Sequence, residues 1–426
     1  MPIVWAAFLV FLFPLLAAYM ALIERGRSAA SDPDHSLTKL YGRLRSLERG
    51  AKLLVRPEQE PPGMAGWFFW FAPFFGFAFA IAAYACLPFG PSIEVTDCGT
   101  GLLFILAVTS VSICGFAFGV WNRGESAPPQ MVAGAAAQLA GHVVAAGLAL
   151  VSVVILGGSL SMHTLVEAQD QTGNWFIFLS PAGFLIYFAA SALMTDRAPL
   201  DVQALQAKIA MGDLQGYGGL RSTLYLLSEY AYTIVLAAVG VITFLGGWLR
   251  PYASFHDRFF GSSVELLDVL PVLLLFIAAA YAYYHALHIE NEISRRTVIY
   301  IAALSLSVGV VLAVSLKLPS AMPAVHGLFW FLIKLLVYLY GLLWLRAKLR
   351  RYSFGQLMRL GWGFLVPLAL TNAFMVAAAQ LLRSQYGWIA IASFGAASLV
   401  VAVVGVLLGA AAYGEQEGSA PIPGLE

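Results

Sequence analysis

Apolar stretches of about 20 residues recur along the whole chain, and they restrict its fold more than any other feature. The chain has 426 residues, of which 60% are hydrophobic and 11% are charged, whereas a soluble domain has about 25% charged residues. In lipid, a helix satisfies its backbone hydrogen bonds within itself, so stretches of this length predict transmembrane helices. The sequence therefore predicts an all-α, polytopic membrane protein. The eleven predicted spans are residues 3–23, 66–88, 101–121, 131–157, 175–195, 223–248, 264–289, 297–316, 327–345, 362–382 and 386–412.

Basic residues are distributed unevenly between the two sides that these spans define. With the N-terminus outside, 19 of the 24 Lys and Arg residues fall in inner loops, four fall in outer segments and one, Lys334, lies within a span. Cytoplasmic loops of membrane proteins carry an excess of Lys and Arg. We therefore predict an outer N-terminus and a cytoplasmic C-terminus. The polar tail, residues 413–426, is predicted to be disordered.

The first inner loop, residues 24–64, has an amphipathic pattern. Apolar residues recur at helical spacing from Leu37 to Val55, and basic residues such as Arg43 and Lys52 lie mostly on the other side. This pattern predicts a basic amphipathic helix that lies along the membrane surface or against a partner protein. A simple anchor for anionic lipid is the alternative interpretation.

Charge and cysteine content exclude several classes of function. A formal net charge of +1 argues against a nucleic-acid partner. The cysteines form no CxxC pair, so we predict neither a zinc nor an iron–sulfur site and interpret those in spans as small buried side chains. The three cysteines are Cys86, Cys98 and Cys114. His285, His288 and Glu292 share one helical face, but polar residues are ordinary at a membrane boundary, and we predict no metal in this chain.

The most specific motif lies at residues 327–362, where an apolar run that contains Lys334 ends in a basic cluster. It resembles the end of the H subunit of respiratory complex I, whose pattern here is W-x-R-x-[ST]-x-P-R-x-R-x-D-Q-L-M-x-x-x-W-K. The matching positions are Trp344, Arg346, Arg351, Gln356, Leu357, Met358 and Trp362. Further similarities follow in chain order at residues 51–54, 87–91, 135–138, 195–201, 229–231 and 245–248. The chain is identified as a divergent member of this family.

The resemblance implies a membrane subunit that has no catalytic chemistry of its own. It implies that the chain binds quinone as substrate in a channel at the junction with the soluble arm of a proton-translocating NADH:quinone oxidoreductase. Its partners are then lipid and the other membrane and peripheral subunits, in the inner (plasma) membrane. The charged residues expected at the quinone mouth and partner interface are Glu24, Arg25, Lys52, Arg197, Asp201, Arg346 and Arg351. The ionisable residues expected on the proton path inside the membrane are Glu229, Lys334 and His142.

The same resemblance divides the chain into segments. Residues 1–250 and 327–412 resemble the family, the second segment with an extra C-terminal helix. Residues 251–326 are interpreted as an insertion that carries a helix pair at 264–316.

Several charged positions of the family are replaced here. The family's acidic run on the loop after the fifth span is Gln203–Lys208 in this chain, and its intramembrane ionisable positions align with Val143, Met194 and Gly134. Two alternative functions follow from these losses. One is the membrane subunit of a complex-I-like hydrogenase or ferredoxin-linked complex, which need not bind quinone. The other is a non-catalytic scaffold paralogue.

Overall fold

The computed structural model describes residues 14, 66–91, 93–96, 98–121, 129–195, 219–250, 264–288, 292–315, 322–348, 358–386 and 393–401. The regular elements in these ranges are helices, and one isolated β-bridge joins Gly90 to Ile93. The helices are α1 (Gly66–Ala85), α2 (Gly101–Trp121), α3 (Pro129–Gly157), α4 (Met162–Thr172), α5 (Phe176–Leu179), α6 (Pro181–Thr195), α7 (Gly219–Phe244), α8 (Val264–Leu287), α9 (Glu292–Ser315), α10 (Met322–Lys348) and α11, which begins as a π-helix (Arg359–Leu365) and continues as an α-helix (Val366–Tyr386). Residues 393–401 are also helical. The all-α prediction is confirmed for this part of the chain.

Five of these helices are long and apolar enough to cross a membrane. Their apolar segments are Ala140–Gly157 in α3, Leu227–Phe244 in α7, Val298–Ser315 in α9, Pro323–Leu345 in α10 and Arg359–Arg383 in α11. They support a multi-pass membrane protein. The predicted span 3–23, apart from Pro14, and part of 386–412 lie outside the described residues. The number of spans and their orientation therefore stay predictions.

The predicted span 175–195 is not one continuous helix. It consists of α5 and α6, which meet at Ser180, where the backbone leaves the helical region with φ −137° and ψ 67°. Pro181 explains the break, because proline lacks an N–H and disfavours a helical conformation in the residue before it. Since Ser180 is fully buried, the break places a polar side chain inside the bundle.

Helix α4 is a short element that the apolar pattern did not predict. Ser161 caps its N-terminus by accepting a hydrogen bond from the Thr164 N–H at 3.4 Å, and Gly173 ends it with φ 63°. Eleven residues are too few to cross a bilayer. The helix lies instead against the C-terminal end of α7, where the Gln169 amide donates to the Ile242 carbonyl at 3.0 Å.

Helix α7 is the centre of the described bundle. Residues 231–244 are all buried, and the helix packs against α1, α4, α6 and α10. Two neighbouring helices donate tyrosine hydroxyls to its carbonyls, from Tyr84 to Ala231 at 2.7 Å and from Tyr187 to Leu236 at 2.9 Å. In lipid, close packing and interhelical hydrogen bonds drive helix association, because lipid tails are as apolar as leucine. These contacts fix the position of α7 in the bundle.

Helices α8 and α9 form a peripheral hairpin. They pack mainly against each other, and α9 also contacts α10. The hairpin exposes several large aromatic side chains, namely Tyr281, Tyr283, Tyr284 and Tyr300. A peripheral position suits an inserted pair of helices, although the insertion itself stays a prediction.

Candidate functional site

Lys334 lies near the middle of α10 and is buried, with 7% of its surface exposed. Its Nζ donates hydrogen bonds to the carbonyls of Leu245 at 2.7 Å, Gly247 at 3.1 Å and Leu249 at 2.6 Å. The same atom lies 4.2 Å from the centre of the Trp175 ring, within range of a cation–π interaction. An ammonium has three N–H donors, so three acceptors match the protonated lysine. These carbonyls follow the C-terminus of α7, where the helix dipole is negative. Lys334 therefore ties the end of α7 to α10 through three hydrogen bonds.

Two glycines build the turn that presents these carbonyls. Gly246 has φ 72° and Gly247 has φ 49°, a conformation that glycine adopts without steric cost. The Gly247 N–H donates to the Val241 carbonyl at 2.9 Å, which closes the end of the helix. A Cβ at Gly246 would lie 2.7 Å from Trp175, and a Cβ at Gly247 would lie 2.9 Å from Val166. Both the backbone conformation and the packing thus require this pair of glycines.

Glu229 is half-buried towards the other end of α7. At 1.5 Å per helical residue, about 24 Å separate its position from Leu245 along the axis. The structure therefore places Glu229 and the Lys334 ammonium in different parts of the bundle. Two of the predicted proton-path residues are on or against α7, but they do not form an ion pair.

His142 is fully buried in α3 and packs against the π-helix that begins α11. A Cβ at Gly361 would lie 3.1 Å from Cδ2 of the His142 ring. The adjacent Trp362 donates from its indole Nε1 to the Ala137 carbonyl at 2.8 Å, and a Cβ at Gly141 would lie 2.7 Å from the same nitrogen. π-helical turns are rare and occur frequently at functional sites. The contact joins a predicted proton-path residue to the helix that contains the last residue of the 327–362 motif.

A buried polar cluster that sequence analysis missed joins α3, the break between α5 and α6, and α11. The side chains of Ser180 and Asn372 lie within hydrogen-bond distance at 3.3 and 3.5 Å, and the Ser152 hydroxyl lies 3.3 Å from that of Ser180. All three side chains are buried. The polar Asn372 within a predicted span was the available signal, because polar groups inside membrane helices are costly and often functional.

A second missed cluster lies at the C-terminal end of α7. His163 of α4 stands between two carboxylates, with Nδ1 3.2 Å from Glu94 and Nε2 3.4 Å from Glu167. Its ring centre is 5.1 Å from that of Trp248. The spacing of His163 and Glu167 along the chain predicts their contact on a helix. The contact with Glu94 is tertiary and joins the α1–α2 loop to α4.

Most residues of the predicted quinone mouth lie outside the described part of the chain. These are Glu24, Arg25, Lys52, Arg197, Asp201 and Arg351. Arg346 belongs to the last turns of α10, but its side chain is also outside the described set. The mouth therefore stays a prediction.

No metal-binding group of three or more His, Cys, Asp or Glu side chains occurs among the residues that the structure describes. His285 in the last turn of α8 and His288 directly after the helix each bond to a tyrosine four residues earlier. The His285 Nε2 lies 2.9 Å from the Tyr281 hydroxyl, and the His288 Nδ1 lies 2.9 Å from the Tyr284 carbonyl oxygen.

The fold and these buried groups define a class of protein, a polytopic α-helical membrane protein with ionisable and polar side chains inside its bundle. Comparison with known proteins then gives the family. The family model described as NADH dehydrogenase matches residues 4–377, and the chain belongs to that family. The resemblance to the H subunit of complex I, predicted from the motifs, is confirmed.

Several relatives carry the name of the H subunit of NADH-quinone oxidoreductase. The second H subunit of Solibacter usitatus is 31% identical over 395 residues, which cover 90% of this chain and 97% of the relative. The first H subunit of Koribacter versatilis is 32% identical over 342 residues, which cover 78% and 79% of the two chains. The H subunit of a Geobacillus species is 28% identical over 340 residues, which cover 80% and 81%. These identities describe a divergent relative of the H subunit along most of its length.

Proposed function

We propose that this chain is the membrane subunit of a proton-translocating NADH:quinone oxidoreductase that forms the quinone channel at the junction with the soluble arm. The observation that carries the proposal is the length of the family match, residues 4–377. This range includes the predicted inner loops 24–64, 196–222 and 346–361, where the soluble subunits would dock. Redox catalysis belongs to the assembled enzyme, in the inner (plasma) membrane, and this chain supplies the channel and the coupling.

In this proposal the mouth residues bind the quinone headgroup and the partner subunits. The charged groups of Arg197 and Asp201 lie four residues apart on one inner loop, where they pair with each other or with a partner. Quinone is a substrate that enters and leaves, so the chain needs no covalently bound cofactor and no metal for this role.

The proposed proton path uses three ionisable residues inside the bundle. Burying such groups is costly, and it is usually functional in membrane proteins. Glu229 and His142 are each proposed to take up and release protons on this path, because a carboxyl and a neutral imidazole both do so readily. Lys334 is proposed as the third residue of the path, and its Nζ lies within hydrogen-bond distance of three carbonyls at the end of α7.

The first experiment tests membership of the complex. The tagged chain is purified in mild detergent, co-purifying subunits are identified by mass spectrometry, and NADH:quinone reductase activity is measured on the same sample. Flavin- and NADH-binding subunits with inhibitor-sensitive activity would support the proposal. A nickel–iron subunit, or the absence of any redox partner, would contradict it and favour the hydrogenase-type or the scaffold alternative.

The second experiment tests the site. The double variant Arg197→Ala, Asp201→Ala is expected to assemble but to lose most quinone reductase activity. The variant Glu229→Gln is expected to retain assembly and lose proton pumping. The matched control is Asp170→Asn, which changes an exposed carboxylate on α4 and should leave pumping unchanged. Full pumping by Glu229→Gln would remove Glu229 from the path.

A further inference from the structure

The loop between α1 and α2 brings together two cysteines that are 12 residues apart in the sequence. Cys86 directly follows α1, and Cys98 precedes the first residue of α2, Gly101. Their sulfur atoms lie 3.3 Å apart. We propose that Cys86 and Cys98 form a disulfide bond that closes this loop on the outer face of the membrane. The sequence interpretation of Cys86 as a small buried side chain is thereby replaced with a covalent modification site.

The backbone holds both cysteines in place for this bond. The Cys86 N–H donates to the Ala83 carbonyl at 3.3 Å, and the Cys98 carbonyl accepts from the Gly101 N–H at 2.8 Å. A Cβ at Gly101 would lie 3.5 Å from the Cys98 Cβ and 3.9 Å from the Cys86 carbonyl oxygen, so the two cysteines meet at the start of α2. Bringing the sulfurs to a bonded separation of about 2 Å requires a movement of only about 1 Å.

The described residues of the enclosed loop have a folded backbone. The Phe89 N–H donates to the Ile93 carbonyl at 2.9 Å, and the Ile93 N–H donates to the Gly90 carbonyl at 3.2 Å. Phe89 is fully buried and meets Phe331 of α10 edge to face, with ring centres 5.9 Å apart. A disulfide at the base of this loop would restrain Phe89, which packs against Phe331 of α10.

The polar side of the same loop reaches α4. Its Glu94 carboxylate lies 3.2 Å from Nδ1 of His163. The disulfide would therefore restrain a loop that connects the ends of α1 and α2 with both α4 and α10.

The compartment decides whether two close thiols are oxidised. Disulfides persist outside the cytoplasmic membrane and are rare in the cytosol. The distribution of basic residues predicts that this loop lies outside. The proposal thus requires the predicted orientation, and it does not require the proposed quinone function.

The oxidation balances by thiol–disulfide exchange with an extracytoplasmic protein that carries an oxidised dithiol site. Cys98 is the more exposed thiol, so its thiolate attacks that partner's disulfide, forms a mixed disulfide and displaces one partner sulfur. The Cys86 thiolate then attacks the Cys98 sulfur and displaces the other. The chain loses two thiol protons and two electrons, and the partner leaves as the reduced dithiol.

The test uses the full chain in membranes of cells that also make its partner subunits. Thiols are trapped by acid, the protein is denatured, and free cysteines are alkylated before and after reduction with dithiothreitol. Mass spectrometry then measures labelling of each cysteine. Cys114 serves as the internal control and should be labelled without reduction. We expect Cys86 and Cys98 to be unlabelled before reduction and fully labelled after it, with the unreduced peptide lacking two hydrogens.

Two further readouts make the result decisive. Single variants Cys86→Ser and Cys98→Ser should each leave the remaining thiol labelled without reduction, and non-reducing gels should show the wild-type chain at the monomer position. Labelling of both cysteines in unreduced wild-type samples would overturn the proposal, as would a bond to another chain. A cytoplasmic location of the loop would produce the first of these results.

Discussion

The substitution Lys334→Met is the most informative single change in the bundle. It keeps an unbranched chain of similar size but removes the three donors that hold the Leu245, Gly247 and Leu249 carbonyls. It also removes the positive charge from the negative end of α7. The three carbonyl groups then lose their shared ammonium donor.

The magnitude follows from the number and type of these hydrogen bonds. An interhelical hydrogen bond in a membrane protein contributes about 0.6 kcal/mol on average, and a charge-assisted one is roughly twice as strong. Three of them give a loss of about 4 kcal/mol in the free energy of unfolding. For a chain of 426 residues we expect the apparent melting temperature to fall by about 4 °C.

Thermal unfolding in detergent, followed by fluorescence-detected size exclusion, measures this fall. Leu336→Met is the matched control, because it places the same new side chain on the same helix at a position with 61% of its surface exposed, away from the three carbonyls. If Lys334→Met melts at the wild-type temperature, the three hydrogen bonds of Lys334 do not contribute to the stability of the protein. A normal melting temperature combined with lost proton pumping would show that Lys334 serves the proton path and contributes little to stability.

Two further predictions concern packing and the polar cluster. Gly240→Ala should destabilise the protein by about 1–3 kcal/mol through overpacking, because the new Cβ would lie 2.7 Å from the Tyr338 ring. The control Gly363→Ala has open space around its Cβ and should leave the melting temperature unchanged. Equal effects of the two changes would contradict the packing described for α7. Asn372→Leu should cost about 1–2 kcal/mol by removing one of the two side-chain partners of the buried Ser180 hydroxyl, measured by the same melting assay. A more stable Asn372→Leu variant would mean that the cluster serves function rather than stability.

Much of the helical architecture was predictable because each long span carries its own signal. Segments such as 223–248 and 327–345 are apolar over the thickness of a bilayer, and the structure has the long helices α7 and α10 there. Helix α4 lacked such a signal, since it is short and half polar. Pro181 was the only sequence signal for the break at Ser180. The apolar content of the surrounding segment nevertheless favoured one continuous span.

Candidate residues for a site could be selected from the sequence, and their roles stay predictions. Glu229, Lys334 and His142 stand out because ionisable residues in apolar spans are rare. Their surroundings did not follow from the sequence. The backbone carbonyls that hold Lys334 belong to a turn about 85 residues earlier in the chain, and a carbonyl has no sequence signature.

Hydropathy and short motifs are local properties, so they were enough to recognise a multi-pass membrane protein and a divergent relative of the H subunit of complex I. The meeting of polar groups is not local, and it became visible only in the folded bundle. Lys334 meets the end of α7, His142 meets the π-helix, and Cys86 meets Cys98. The difference arises because an apolar helix face can contact lipid as favourably as it contacts another apolar helix face. Neighbours are therefore selected by close packing at positions such as Gly240 and by hydrogen bonds between helices, and both depend on the three-dimensional arrangement.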